Sequence, residues 1–181
     1  MVYIFLADGF EEIEAIAPID ILRRAGLALI SVGVGKTDVT GAHGVTVAAD
    51  ITAEELPEPC GDIEAVILPG GGTGVANLEA SAAVQSFIDY AARNNKLLGA
   101  ICAAPSILAH RGLLDGKRAV CYPTFEKELP KAILSEESVT RDGNIITAKG
   151  AGVSIEFAFA LAAALAGEEK AREIKEQMQC I

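Results

Sequence analysis

Continuous apolar runs and amphipathic stretches alternate along this chain of 181 residues. Uninterrupted apolar runs are typical of strands that are buried on both faces. They predict core strands at 2–7, 27–35, 65–71 and 96–102. Apolar residues near the helical period of 3.6 predict helices between and after these strands. The predicted helices cover 11–26, 81–94, 104–114, 153–166 and 168–178. Pro18 lies inside the first of them and is expected to kink that helix or split it in two.

Shorter alternating stretches complete the pattern. Residues 39–50 alternate like a hairpin arm, 118–123 form a short strand, and 138–150 predict a hairpin with Asp142-Gly143 at its tip. Strands separated by helices imply right-handed crossovers. The sequence therefore predicts one α/β domain over 1–181, with a doubly wound, mostly parallel, flavodoxin-like sheet flanked by helices.

Composition narrows the classes of function. The formal net charge of -10 argues against nucleic acid as a partner, because phosphate binding needs clustered Lys and Arg. No apolar run approaches the roughly 18 residues of a membrane span, and the start of the chain lacks the basic segment of a secretory signal. The four scattered cysteines show neither metal-ligand nor CxxC spacing. We expect a cytoplasmic protein without a metal, a cofactor or disulfides.

Chemistry-bearing stretches follow three of the predicted strands. ADGFEEIE follows the first strand, LPGGG the third, and ICAAP the fourth. Ligands of doubly wound sheets bind beyond the carboxyl ends of the strands. The three stretches are therefore expected to meet in one site.

Cys102 stands where the fourth strand turns into a helix within about one residue. Such a corner imposes strained backbone geometry and projects the side chain from the sheet edge, as in a nucleophile elbow. A following helix N-terminus is expected to lower the pKa of the thiol, and its free N–H groups to hold an oxyanion. The local pattern is equally compatible with a free cysteine that merely packs in the core.

Glu14 is the carboxylate of GFEEIE that shares a helix face with apolar residues, namely Ala17, Pro18 and Ile21. If it points inward, burial raises its pKa, and the protonated carboxyl can donate a hydrogen bond to a thiolate or shuttle a proton. The alternative is an exposed carboxylate on the helix surface.

The glycine run after the third strand also has two interpretations. It is either a plain turn that leaves a buried strand, or a segment in which the Gly71 N–H points into the site as an oxyanion donor. It lacks the GK[ST] of a phosphate-binding loop, so a nucleotide site is weakly supported.

Several motifs together resemble one family. GFEEIE, LPGG and AICAAPSIL, with RRAG, RDGNIITAKG and SIEFA, resemble the DJ-one-like branch of the ThiJ/PfpI superfamily over about residues 2–175. The resemblance implies the class I glutamine-amidotransferase-like fold. It also implies that Cys102 is the reactive cysteine, that Glu14 is the protonated glutamate bonded to it, and that Gly71 and Ala103 are the backbone donors. Gly70 is expected to border the same pocket.

The resemblance further implies a homodimer in which a residue of the partner subunit approaches the pocket. The matching position is His43, where the human member has arginine; an exposed hairpin residue is the alternative. Many relatives have a histidine beside the cysteine, at the position of Tyr122 here. A phenol stays protonated near neutrality and cannot replace imidazole as a base, although it can donate a hydrogen bond. His110 lies roughly two turns into the helix after Cys102 and is expected to be structural or exposed.

Two functions remain from different classes, with a third as a minor alternative. The first is a cysteine-dependent, glutathione-independent glyoxalase or protein deglycase that acts on methylglyoxal, glyoxal or early glycation adducts. The second is a redox-sensing, stress-protective protein or chaperone that works through oxidation of Cys102. An amidase or protease-like hydrolase is disfavoured by Tyr122.

Overall fold

The computed structural model describes residues 1–180, in which strands and helices alternate as the apolar pattern predicts. The strands are β1 (Val2–Leu6), β2 (Leu29–Gly33), β3 (Asp38–Thr40), β4 (Thr46–Ala48), β5 (Ile51–Thr52), β6 (Ala65–Leu68), β7 (Leu97–Ile101), β8 (Arg118–Ala119), β9 (Ile133–Leu134), β10 (Val139–Asp142) and β11 (Ile145–Ala148). The helices are α1 (Glu12–Arg24), α2 (Gly72–Ala80), α3 (Ala82–Arg93), α4 (Pro105–His110), α5 (Ser154–Ala166) and α6 (Glu168–Gln177). Short 3₁₀ helices cover Ala53–Glu55, Pro123–Glu128 and Ala151–Val153.

The central sheet has seven strands in the order β10-β11-β7-β6-β1-β2-β5. Every neighbouring pair is parallel except β10 with β11, which form the predicted hairpin. Ile4 pairs with Ile67, and Ile67 with Gly99, so the parallel strands β1, β6 and β7 are in register across the sheet. Their carboxyl ends consequently reach the same edge of the sheet, and the predicted α/β fold is confirmed.

Both faces of the sheet are covered, which explains why its central strands are apolar without alternation. On one face, Phe87 of α3 packs edge-on against Tyr3 and Phe5, with ring centroids 4.9 and 5.5 Å apart. On the other face, α1 packs against β1 and β2 and α5 packs against β7 and β11, with Phe157 and Leu161 in the second cluster. Full burial of one such side chain contributes about 1.5–3 kcal/mol. The two clusters fix the strand ends that carry the site.

The structure corrects several local predictions. Residues 12–24 form one continuous helix, so Pro18 does not split it; Pro18 is buried, and packing against α5 offsets the backbone N–H that proline lacks. The sequence pattern missed α2, because Gly72 and Gly74 are poor helix formers. A side chain at position 74 would collide with the backbone of Phe10, so glycine is required there.

Two boundaries also differ from prediction. The strand expected at 118–123 ends at Ala119 as β8 and is followed by a 3₁₀ helix, while the helix expected at 104–114 ends at His110 as α4. The predicted domain extends to residue 181, which lies outside the described residues. None of the helices within 1–180 has the length and apolar character needed to cross a membrane.

Candidate active site

Three loops meet beyond the carboxyl ends of β1, β6 and β7. The loop after β1 is joined to the glycine run by two backbone hydrogen bonds, from Glu11 N–H to Gly70 O (3.0 Å) and from Gly74 N–H to Gly9 O (3.1 Å). Cys102 follows β7 directly. The expected meeting of ADGFEEIE, LPGGG and ICAAP is therefore confirmed.

Cys102 occupies the corner in a left-handed backbone conformation, with φ at +64°. Side chains other than glycine rarely adopt this region, so the surrounding structure must hold it in place. Its N–H donates to Ala148 O (2.9 Å) at the end of β11, and its carbonyl accepts the N–H of Tyr122 (2.7 Å). The half-buried thiol thus projects from a fixed corner, as the strand-to-helix pattern predicts.

Glu14 lies in the first turn of α1 and is fully buried, which confirms that its helix face points inward. Its Oε2 accepts the N–H of Gly70 at 2.8 Å. Its Oε1 has no hydrogen-bond partner among residues 1–180. A Cβ at Gly70 would lie only 2.5 Å from Cys102 Cβ and from Glu14 Oε2, so the absence of a side chain at Gly70 allows the carboxyl and the thiol to approach.

The carboxyl and the thiol change each other's protonation. Burial raises the pKa of Glu14 to about 7, although the Gly70 N–H and the Cys102 thiol act in the opposite direction. Burial, followed by the negative charge of Glu14, raises the pKa of Cys102 to about 12. Between these two values the pair holds a single proton to share.

The predicted lowering of the Cys102 pKa is therefore wrong. The helix that follows, α4, begins only at Pro105 and has six residues, whereas burial and the nearby carboxylate raise the pKa of the thiol. The N–H groups of Gly71 and Ala103 lie near the sulfur and lower its pKa in part. Both predicted backbone donors are thus beside the thiol, and a thiolate forms most readily when Glu14 keeps the shared proton.

Gly150 and Tyr122 border the remaining side of the thiol. A Cβ on Gly150 would lie 3.4 Å from the Tyr122 ring, 3.8 Å from Glu14 Oε1 and 3.9 Å from Cys102 Sγ. Gly150 therefore leaves a space between the ring, the carboxyl and the sulfur. Reasoning from residues did not single out Gly150, because only tertiary contacts bring the segment after β11 to this corner.

His43 does not lie among these groups within its own chain. Its N–H and its Nδ1 bond the two carboxylate oxygens of Glu12, at 2.7 and 2.9 Å, and its Nδ1 lies 3.5 Å from Glu11 Oε2. These three side chains have ligand atoms close enough for a metal ion, yet the hydrogen bonds of Glu12 account for their arrangement. The approach of His43 to a partner's pocket stays a prediction.

The other candidate residues lie in structural environments. His110 bonds Glu79 and Glu128, at 2.6 and 3.3 Å, and thus links α2 to the 3₁₀ helix at 123–128. Cys121 is buried, and burial raises the pKa of its thiol to about 11. Cys60 is exposed, and Cys180 is half-buried near the end of the described chain.

Comparisons with known proteins identify relatives over nearly the whole chain. The sequence model of the DJ-1/PfpI family matches residues 1–164. The chain is 35% identical to the Parkinson disease protein 7 homolog of Danio rerio over 176 residues, which cover 95% of this chain and 93% of that protein. It is 29% identical to the glutathione-independent glyoxalase DJR-1.2 of Caenorhabditis elegans over 166 residues, covering 91% and 87% of the two chains.

The fold is shared with solved structures. Oxidized Toxoplasma gondii DJ-1 superposes with a TM-score of 0.93 at 33% identity, covering 98% of this chain and 97% of that one. The chain spans only 39% of the length of another relative, Protein DJ-1 homolog B of Arabidopsis thaliana. The similarity to that protein is therefore a similarity to part of it.

Burial of Glu14 predicts a pH-dependent stability. An unfolded Glu ionises near its ordinary pKa of 4.5, whereas the folded protein keeps the proton up to about pH 7. Between these values the native state binds more protons, so stability falls as pH rises, by about 3 kcal/mol in total. We expect the free energy of unfolding in urea, measured from pH 4.5 to 8, to fall by this amount relative to Glu14→Gln.

Glu176→Gln is the matched control, because Glu176 is exposed on α6 and its pH dependence should follow that of the parent. A constant difference between the parent and Glu14→Gln across this pH range would contradict a raised pKa at Glu14.

Proposed function

Because the chain belongs to the DJ-1/PfpI family, we propose that it is an enzyme that converts small dicarbonyls, such as methylglyoxal or glyoxal, into hydroxy acids without glutathione. The observation that carries the proposal is the Cys102 thiol, fixed at a left-handed corner beside the buried carboxyl of Glu14. A relative 29% identical to this chain is named a glutathione-independent glyoxalase. No cofactor enters the proposed reaction.

The first step is addition of sulfur to the aldehyde. As Cys102 Sγ forms a bond to the aldehyde carbon, the thiol proton moves to the Glu14 carboxylate, and the carbonyl π electrons move to oxygen. The N–H groups of Gly71 and Ala103 lie near the sulfur, and in the proposed reaction they stabilise the negative oxygen that develops on the attached carbon. Return of the proton from Glu14 to that oxygen gives a neutral hemithioacetal.

The second step moves a hydrogen between the two former carbonyl carbons. Glu14 removes the proton from the carbon bonded to sulfur and delivers it to the neighbouring carbonyl oxygen, which gives an enediol; it then takes the proton of the other enediol hydroxyl and delivers it to the neighbouring carbon, which leaves a 2-hydroxy thioester on Cys102. Water then cleaves the thioester, releases the hydroxy acid and restores the thiol. The sum is dicarbonyl plus water to hydroxy acid, so no external oxidant or reductant is consumed.

The same addition extends to early glycation adducts of protein side chains, which carry the same carbonyl-derived carbon. Tyr122 is 47% exposed at the border of the site, so the thiol is not enclosed on that side. We expect a protein side chain that carries the adduct to enter the site past Tyr122. We place a deglycase activity second to turnover of the free dicarbonyl, since a larger substrate must pass Tyr122.

Redox sensing at Cys102 is the second candidate, and the amide donors favour it. A thiolate oxidised by a peroxide becomes a sulfenate and then a sulfinate, whose oxygens carry negative charge. The N–H groups of Gly71 and Ala103 lie at the sulfur, where such oxygens form. We propose that this chemistry takes place in a reducing cytoplasm, where the four free cysteines stay reduced until oxidative stress. A protective or chaperone role would then follow from the oxidation of Cys102.

We further propose that the protein forms a homodimer through an apolar surface on α1, α5 and the β3–β4 hairpin. Ile13, Ile16, Val45 and Ile155 are between 41% and 55% exposed. Ile13 and Ile155 line one groove, and Val45 is tied to α1 by a hydrogen bond to Glu12 (3.4 Å). His43 lies at the margin of this surface, in the place from which it would face a second copy.

Lactate formation tests the enzyme hypothesis. We expect proton NMR to show lactate from methylglyoxal without glutathione for the parent, none for Cys102→Ser, and a rate lower by roughly 10²–10⁴ for Glu14→Gln, which cannot transfer a proton. Cys60→Ser is the control, because that thiol is exposed and outside the site. Equal consumption of methylglyoxal by Cys102→Ser and the parent would refute the mechanism.

Mild peroxide treatment tests the redox hypothesis. Intact mass and peptide mapping should show that Cys102 gains two oxygens before the buried Cys121 does. Cys102→Ser should lose this modification without a change at Cys60. Oxidation confined to Cys60 or Cys180 would argue against a sensor at Cys102.

Sedimentation analysis tests the dimer. The parent should have twice the chain mass of 18.8 kDa, and Ile16→Glu should shift it to the monomer, because a buried charge without a partner is costly. Ile133→Glu is the matched control, since Ile133 is also an exposed isoleucine, 58% against 41% for Ile16, but lies on β9, away from this surface. A monomeric parent would exclude the proposed dimer.

A further inference from the structure

A second cavity lies between α5, α6 and the edge strand β10, with a volume of about 360 Å³. It shares no lining residue with the Cys102 site. In the β10–β11 hairpin, Val139 pairs with Ala148, whose carbonyl holds Cys102, whereas Arg141 at the cavity pairs with Ile146. Arg141 therefore lies two residues along β10 from the position beside the thiol's corner.

Three cations surround this cavity without a carboxylate partner. Within residues 1–180, nine of the fifteen Lys and Arg side chains form ion pairs with Asp or Glu. Three of the remaining six, Arg141, Arg172 and Lys175, line the cavity. In a chain with a net charge of -10, three cations that form no ion pair are thus grouped at one cavity, which favours an anionic ligand there.

The floor of the cavity is apolar. Phe159, Ala160 and Ala163 of α5 face Ala171 of α6 across it, and Ala171 is buried. The alanines leave room beside the Phe159 ring, because their side chains end at Cβ. A pocket with an apolar floor and a few polar groups at its rim is the usual architecture of a small-molecule site.

We propose that this cavity binds an amphipathic organic anion, with an aromatic or short aliphatic body on the alanine floor and one carboxylate, sulfonate or phosphate among Arg141, Arg172 and Lys175. The cavity volume lies near the lower end of the range for small-molecule pockets, which suits a ligand of modest size. The Nε of Arg141 donates to Gly143 O (3.2 Å), so its guanidinium is anchored while its terminal NH₂ groups remain available to the anion.

Glu168 sets the charge that the cavity accepts. Its carboxylate lines the same cavity as the three cations. A ligand with one anionic group can bind the cations and keep its apolar end towards the floor. A second anionic group would meet the Glu168 carboxylate, so the site selects for a single anionic group.

The experiment uses naphthalene-2-sulfonate as the probe and naphthalene-2-sulfonamide as its neutral counterpart of similar size. Amide chemical shifts of the full chain, followed by NMR during titration, should change saturably at Ala160, Ala163 and Ala171 with the sulfonate and much less with the sulfonamide. Arg172→Gln combined with Lys175→Gln should weaken binding roughly tenfold, and added salt should weaken it in the parent. Glu168→Gln should strengthen it.

Lys170→Gln is the matched control, because Lys170 is a cation of the same helix that pairs with Glu173 (3.1 Å) and does not line the cavity. It should bind the sulfonate as the parent does. All four substituted positions are on the surface of α6, so the variants are expected to fold. Equal binding of sulfonate and sulfonamide, equal loss in Lys170→Gln, or shifts centred on Ile13 and Ile155 would each overturn the proposal.

Discussion

The burial of one carboxyl group beneath one thiol is the constraint on which the rest of the site depends. Glu14 is fully buried, and one of its oxygens has only the Gly70 N–H as a partner, while the other has none among the described residues. Burying an ionised carboxylate with so few partners is costly, so the group keeps a proton to higher pH than usual. Every other feature of the site serves this arrangement, because the glycine run and the corner at Cys102 are needed to bring sulfur next to that carboxyl.

The parallel sheet makes this approach possible. The central strands run in step, so the loops that follow them meet at one edge without long connections. Hydrogen bonds from Cys102 N–H to the end of β11 and from Tyr122 N–H to the Cys102 carbonyl then hold the corner from outside. A left-handed residue costs on the order of 1–3 kcal/mol, and the surrounding contacts must offset this cost. The strain is thus maintained by the sheet and not by the short helix α4.

Sequence reasoning predicted the fold and most of the site because those features leave local signals. Buried strands appear as apolar runs, the corner appears as a strand that turns into a helix, and Glu14 shares a face with apolar neighbours. The pKa of Cys102 left no such signal, since it depends on a carboxylate 88 positions away in the chain and on burial by several elements. Three further features likewise arise only from tertiary packing. They are the bonds between His43 and Glu12, the space that Gly150 leaves beside the thiol, and the continuity of α1 through Pro18.

The raised pKa values distinguish this thiol from one that is activated by positive charge. A cysteine beside a cation or a long helix is a thiolate at rest, and its low basicity limits its nucleophilicity. In the proposed mechanism the carboxyl and the thiol do not both ionise, so the proton moves to Glu14 in the same step in which sulfur attacks. In that mechanism the sulfur would react with the strength of a basic thiolate when a substrate beside Glu14 receives the proton. Such coupling would favour carbonyl compounds, whose addition creates an oxygen that takes the proton back.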